Sequence, residues 1–502
     1  MELVFQPKTV DYLRNLVRDV KNQEETLETV VPDSYPDIDR ILSTDATVVM
    51  RSKECRGGCV TVAGGIRGNV LYLAEGESAP RNLEVYLPFS VKAEKPGLSE
   101  NSQIVFFAFP RSTDARMLGS RKVQFRASVG YDLAVYTPET LEIPELREKP
   151  EELQLRTEQY PIRLPLETAE RSFQLSEEIA IPAQKPLGDA VYAFTPRLEV
   201  TESRIAGSKA VFKGSASVRT LYRAEDGSIA QSETQFPFSQ YCELRNVYES
   251  GEELQIVLMP TGCDCERSMM QDGNGLVLTM QVLAQCIVTG LRTVTVQEDA
   301  YCVGARLEAE WQEIPVTGLL DVQHPGFSVR EYSDIPAREV VDVQVFADHP
   351  ELLRSGAETE ITVPACARVL YRDPEGKLQS AAVRTRSVGK MPGAENAACT
   401  ACAFVQGGVS AVPSGSGLEV RYVLGTDVES RAELTLHTLS GGKIVPAAES
   451  GSEKPAFIAR RLRRGETLWE AAKSIGTSVE LIRSANPGET DGSDTVLLIP
   501  VL

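Results

Sequence analysis

Histidine is scarce in this chain, and the three present, His324, His349 and His437, stand singly with no ligand-spaced neighbour. No HExxH pair occurs, so the helical zinc site of that kind is excluded. Equally missing are a GxSxG nucleophile elbow, a GxxxxGK[ST] phosphate loop and a dinucleotide fingerprint after a strand. Nothing here nominates a catalytic residue, a metal or a cofactor, and the expectation is a protein that is not an enzyme. No run approaches the roughly 18 uninterrupted apolar residues of a membrane-spanning helix. The opening stretch MELVFQPKTVDYLRNLVRDV lacks a basic segment followed by an apolar core and a cleavage site, which predicts a cytoplasmic protein.

Cysteine is also sparse. Ten in 502 residues are too dilute for a disulfide scaffold and suit a reducing compartment. The close pairs Cys55/Cys59, Cys263/Cys265 and Cys399/Cys402 invite a zinc reading, but such a site needs two pairs brought together. Even with Cys242, Cys286 and Cys302 added, buried free thiols are the simpler expectation.

What the chain has in excess is negative charge. A net charge of −19 repels phosphate backbones and anionic lipid, which argues against nucleic acid or bare membrane as partners. Residues 456–502 hold six acids and six basic residues, so the excess lies upstream. Hydrophobic content of 42% and charged content of 25% are globular values, and the length predicts about three to five domains.

A repeat sets that number. Leu71-Tyr72, Leu221-Tyr222 and Leu370-Tyr371 stand 150 and 149 residues apart. Val31-Pro32 with Pro36 answers Ile181-Pro182 with Pro186, and Pro88-Phe89 answers Pro237-Phe238. A period this long exceeds that of solenoid repeats, so each copy is expected to close its own core. The expected units are 28–145, 168–310 and 325–440.

Each copy carries two strand-rich halves. Val60, Val62, Val70 and Tyr72 alternate around Gly57-Gly58 and Gly64-Gly65, read as turn or bulge signals. Val123, Phe125, Ala127, Val129, Tyr131, Leu133 and Val135 follow with strict alternation, as do residues 276–288 and 418–428. Period two sustained this long means one buried and one wet face, satisfied by two sheets packed together. The expected fold is therefore mainly β, with three tandem sandwich-like modules. Residues 137–172, rich in proline and glutamate, read as a connection with edge strands. Residues 1–27 carry Val10, Leu13, Val17 and Val20 at helical spacing and predict an amphipathic helix docked on the first module. Asp33, Asp37 and Asp39 read as exposed acids of a proline-flanked turn and not as a metal or acid/base cluster. Residues 441–455 read as a flexible linker.

The last stretch, 456–502, reads strand, helix, helix, strand. Leu468, Ala471, Ala472 and Ile475 are helically spaced, Gly476 ends the first helix and Ser478 caps the second. Its residues Gly465-Glu466-Thr467-Leu468-Trp469, Ala472, Gly476-Thr477-Ser478, Ile482, Asn486-Pro487 and Leu497-Leu498-Ile499-Pro500 resemble the LysM domain. That resemblance implies a βααβ fold and a groove for N-acetylglucosamine-containing glycans at Gly465, Glu466, Thr467, Leu468, Asn486, Pro487 and Gly488. The acidic loop Glu489-Thr490-Asp491 and Asp494 depart from the family's usual residues. Trp469 is expected to pack its helix instead of stacking on sugar, and Arg460, Arg461, Arg463 and Arg464 read either as a solvated strand edge or as a face for an acidic partner.

The phrase from Pro32 to Leu42, PDSYPDIDRIL, with the Leu-Tyr and Pro-Phe-Ser phrases, resembles the SPOCS domain of spore-forming bacteria. SPOCS repeats with a terminal LysM domain are similar to spore coat morphogenesis proteins. The resemblance implies a non-catalytic scaffold at the forespore surface in the mother-cell cytoplasm. It implies as partner the coat morphogenetic ATPase, stage IV sporulation protein A. The alternative is a peptidoglycan-binding protein of the wall or cortex that works through its LysM groove.

Overall fold

The residue pairs of the repeat show how the chain is built, because neighbours on a strand point to opposite faces. In the computed structural model, which describes all residues but 78, 250, 269–274, 394–396, 447–454, 464, 488–495 and 502, the fold is nearly all β. Leu71, Leu221 and Leu370 meet in one shared apolar cluster. Their partners Tyr72, Tyr222 and Tyr371 point the other way, each into a different core. The chain thus has three cores around one shared cluster, with each Leu-Tyr phrase facing that cluster through one residue and its own core through the other.

The first unit holds β1 (Phe5–Val30), β2 (Ile38–Arg56), β3 (Cys59–Ala74), β4 (Pro80–Glu94), β5 (Gln103–Gly119) and β6 (Lys122–Leu146). They form antiparallel sheets ordered β1-β6-β5 and β2-β3-β4. The core lies between them: Val60, Val62, Ile66 and Tyr72 from one sheet against Phe106, Phe125, Leu133 and Val135 from the other. The second unit holds β7 (Leu153–Ala180), β8 (Leu187–Ala224), β9 (Ile229–Tyr248), β10 (Glu253–Arg267) and β11 (Gly275–Cys302). Here β8 doubles back at Gly207, whose φ of +62° suits a residue without Cβ. Across this bend Thr201 Oγ1 donates to the Lys213 carbonyl at 3.3 Å, so the two arms of β8 stand where β2 and β3 stand in the first unit.

The third unit holds β12 (Ala305–Gln323), β13 (Gly326–Ser333), β14 (Glu339–Ala347), β15 (Glu351–Ser355), β16 (Glu358–Arg372), β17 (Leu378–Pro392), β18 (Ala398–Ser414) and β19 (Gly417–Pro446). Its sheets are β12 and β18 with β13 on β19, and β14, β15 and β17 on β16. A terminal unit follows, of β20 (Phe457–Arg461), α1 (Leu468–Ile475), α2 (Val479–Ala485) and β21 (Val496–Pro500). No helix among the described residues is long and apolar enough to cross a membrane.

Several expectations need correction. Residues 1–27 are not a helix, since most of them belong to β1, which pairs along its length with β6. The helical spacing arises because this strand serves three cores. Val10 and Tyr12 face one cluster and Leu13 another, and after a bulge between Asn15 and Val17 the strand turns Val17 into a third. A bulged strand buried on both faces imitates a helical stripe.

Residues 137–172 are no connection either. Only 147–152 join β6 to β7; the rest continue the two strands. The third unit begins at Ala305 instead of 325, because β12 pairs with β19 over most of its length. The assumed linker loses its first residues for the same reason, Gly441 to Pro446 pairing with Glu310 to Ala305; most of its remainder lies outside the described residues.

These extended strands make a stalk. Here β1/β6, β7/β11 and β12/β19 run as paired strands, the last two joined where Leu319 of β12 pairs with Arg163 of β7, and Tyr12, Ile143, Ile162, Leu164, Val296, Ile314 and Leu436 from all three bury one another. Fully burying one such aliphatic side chain is worth about 1.5–3 kcal/mol, so the pairs hold together without a sheet spanning all three.

Glycine read as punctuation proves to serve packing as well in one case. Gly57 and Gly58 do make the β2–β3 turn, with φ of +58° and +78°. Gly64 lies beside the β2 bulge between Met50 and Ser52, as a bulge signal would have it, and also opposite Phe89 on β4, where a Cβ would stand 2.3 Å from the Phe89 ring. Gly214 and Phe238 repeat the arrangement, with 2.2 Å. The Pro-Phe phrase of the repeat therefore supplies a ring that lies across a cross-strand glycine.

Candidate binding surface of the C-terminal unit

β20 and β21 pair antiparallel, from Phe457 opposite Pro500 to Arg461 opposite Val496. Leu468, Ala471, Ala472, Ile482, Leu497 and Ile499 close a small core under them. The helix ends follow from local chemistry, as expected. Thr467 Oγ1 accepts from the Glu470 amide at 3.2 Å while the Glu470 carboxylate accepts from the Thr467 amide at 2.9 Å, a reciprocal capping box. Gly476 ends α1 with φ of +83°, and the Ser478 hydroxyl accepts from the Leu481 amide at 3.2 Å.

Most residues expected to line a ligand groove are committed within the unit. Leu468 is buried in the core, and Thr467 is spent on the cap. The Glu466 carboxylate accepts from the Arg463 amide at 2.8 Å and pairs with the Arg460 guanidinium. Asn486 ties α2 to β21: its Nδ2 donates to the carbonyls of Ile482 (2.7 Å) and Leu498 (2.8 Å), and its Oδ1 accepts from the Leu498 amide at 2.8 Å. Gly465 and Pro487 are exposed. Gly488 and the acidic residues Glu489, Asp491 and Asp494 lie outside the described residues, as does Arg464. The side chains of this set thus hold the fold, and what the set presents to a ligand is chiefly backbone.

The unit does not stand free. Its α1 rests on the end of β11, where a bulge between Gln297 and Asp299 re-aims the strand. Trp469 Nε1 donates to Asp299 Oδ2 at 2.7 Å and Lys473 Nζ donates to Asp299 Oδ1 at 2.6 Å. The Tyr301 hydroxyl donates to the Thr477 carbonyl at 2.8 Å, and its ring meets Trp469 edge-on, centroids 4.9 Å apart. Burial pushes the Tyr301 phenol up to about 12. Burial also works to raise Asp299, but the hydrogen bonds from Lys473 and Trp469 outweigh it and hold its carboxyl below the usual range. Trp469 therefore packs instead of awaiting sugar, against a strand from another part of the chain. Sequence reasoning missed Asp299 and Tyr301. Their one signal is that Gln297-Glu298-Asp299 interrupts the apolar alternation of Val294 and Val296.

Other chemistry-bearing residues have partners within the fold. Asp37 accepts from Arg121 at 2.7 Å, and the hydrogen bonds from Ser120 and Arg121 hold its carboxyl low. All ten cysteines are free, six of them buried, and burial pushes Cys263 up to about 12 and Cys402 up to about 11. Among the described residues, no three His, Cys, Asp or Glu side chains are placed to hold a metal ion. A cleft of about 540 Å³ between the first two units is lined by Thr47, Arg67, Tyr86, Phe194 and Asp264. Its guanidinium is engaged, since Arg67 donates to the Cys263 carbonyl at 3.2 Å and lies over the Phe194 ring.

No curated protein and no solved structure matches the chain. The model of the family described as "SipL, SPOCS domain" matches residues 37–118, the stretch that runs through β2, β3, β4 and most of β5 of the first unit. This stretch of the first unit is therefore similar to the SPOCS domain.

Proposed function

We propose that this chain is a non-catalytic scaffold of the bacterial endospore envelope. It would act in the mother-cell cytoplasm at the forespore surface, tethering coat proteins through protein contacts. The SPOCS match over residues 37–118 is the observation that carries this reading. The fold supports it, because the phrases of that region recur in two further units built on the same two-sheet plan. Three related units on one chain, with a LysM-like fourth unit, raise the effective concentration of weak contacts at an assembling layer. By resemblance, the partner is the coat morphogenetic ATPase, stage IV sporulation protein A.

A fluorescent fusion in sporulating cells tests the proposal. Signal gathering at the forespore, and co-purification of the ATPase with the full chain, are expected. Diffuse signal throughout development would count against it. Saturable retention of the full chain on insoluble peptidoglycan, competed by chitooligosaccharide, would instead favour the glycan-binding alternative.

A further inference from the structure

The contact between α1 and β11 reads a short pattern. Asp299 and Tyr301, two apart on an extended strand, present their side chains to the same side, while Ala300 between them packs into a different cluster. On the helix, Trp469 and Lys473 are four apart and hence neighbours on one face. Their N–H donors converge on the two oxygens of one carboxylate, at 2.7 and 2.6 Å. Just beyond the helix the Thr477 carbonyl takes the tyrosine hydroxyl at 2.8 Å, and the indole takes the tyrosine ring. Among the described residues of the main body, only Tyr301 and Val303 enter this apolar cluster. Polar recognition thus sets the position, on a face where Lys473 keeps 45% of its side chain exposed.

We propose that this face of the C-terminal unit is a recognition surface for an extended Asp-x-Tyr segment of protein. Its resident ligand is the chain's own Asp299-Ala300-Tyr301, and a segment of the same chemistry on a partner engages by displacing it. The inference is independent of where in the cell the chain works.

The test uses the full chain carrying Trp311→Phe, so that Trp469 is the sole indole. Two readouts are taken: acrylamide quenching of Trp469, and anisotropy of a labelled peptide with the sequence of residues 297–301, Gln-Glu-Asp-Ala-Tyr. Asp299→Lys is expected to raise quenching and to tighten peptide binding about tenfold or more, since one charge-assisted hydrogen bond is worth that factor. Adding Lys473→Asp to it restores the ion pair in reverse and should return quenching toward the parent value. Tyr301→Phe, which removes only a hydroxyl, should give a smaller rise. Replacing the peptide's aspartate by asparagine or its tyrosine by alanine should weaken binding to the opened chain. Unchanged quenching in both Asp299→Lys and Tyr301→Phe overturns the proposal. So does a peptide that binds the opened chain no better than the parent, or binds equally without its aspartate.

Discussion

At the scale of single residues, the repeated phrases are explained by strand geometry. A Leu-Tyr pair serves two masters because alternate side chains leave a strand in opposite directions, and both sides here are buried. The same reasoning covers Gly64, which exists to admit the Phe89 ring. Gly64→Ala would put a Cβ 2.3 Å from that ring and 2.7 Å from the Val49 carbonyl, and a backbone atom cannot swing aside. The expected cost is about 1–3 kcal/mol, read as a lowered urea midpoint with an unchanged slope. A variant as stable as the parent would show that Phe89 relocates freely.

At the scale of elements, the paired strands and the docked helix carry the lesson. β1 was legible as amphipathic but not as a strand, because its bulge between Asn15 and Val17 shifts the pattern and because its pairing partner, β6, lies far away in sequence, from Val30 opposite Lys122 to Phe5 opposite Leu146. Long-range pairing of that kind overrides local spacing. The α1 contact adds a prediction in pH. Asp299 has a folded carboxyl held below its ordinary value by Lys473 and Trp469. Its contribution to docking is therefore present above the ordinary carboxylate value and is lost as pH falls through the lowered one. Trp469 should stay protected from quencher from pH 8 to 5 and open only below about pH 4. Opening near pH 6 would assign the contact to another group.

At the scale of the whole molecule, the three units are bound together by a buried polar cluster as well as an apolar one. Arg219 of the second unit reaches Asp45 of the first at 3.3 Å and pairs with Asp342 of the third, while Thr195 Oγ1 donates to Asp45. Burial pushes Asp45 upward against the pull of Arg219, whereas Asp342 and Asp45 together outweigh burial and hold Arg219 in its charged form. Arg219→Ala leaves two buried carboxylates without their cation. It should cost about 3–5 kcal/mol and lower the midpoint of all three units together, seen by hydrogen exchange in β3, β8 and β16. Loss confined to β8 would mean that the units are stabilised separately.

The sequence by itself determined the class of fold, the period of the repeat and the ends of the two short helices. Each of these rests on local rules: alternation within a strand, capping within a turn, and recurrence of short phrases. Only the tertiary structure decided that the three copies share one apolar cluster, that β12 pairs with β19, and that α1 is seated on Asp299 and Tyr301. Those are pairings between residues far apart in the chain, and nothing in the spacing near Trp469 or Lys473 encodes which distant carboxylate will meet them. The groove residues divide along the same line. Thr467 announces its capping role three residues from Glu470, whereas Asn486 is committed to β21 by contacts that only folding brings about.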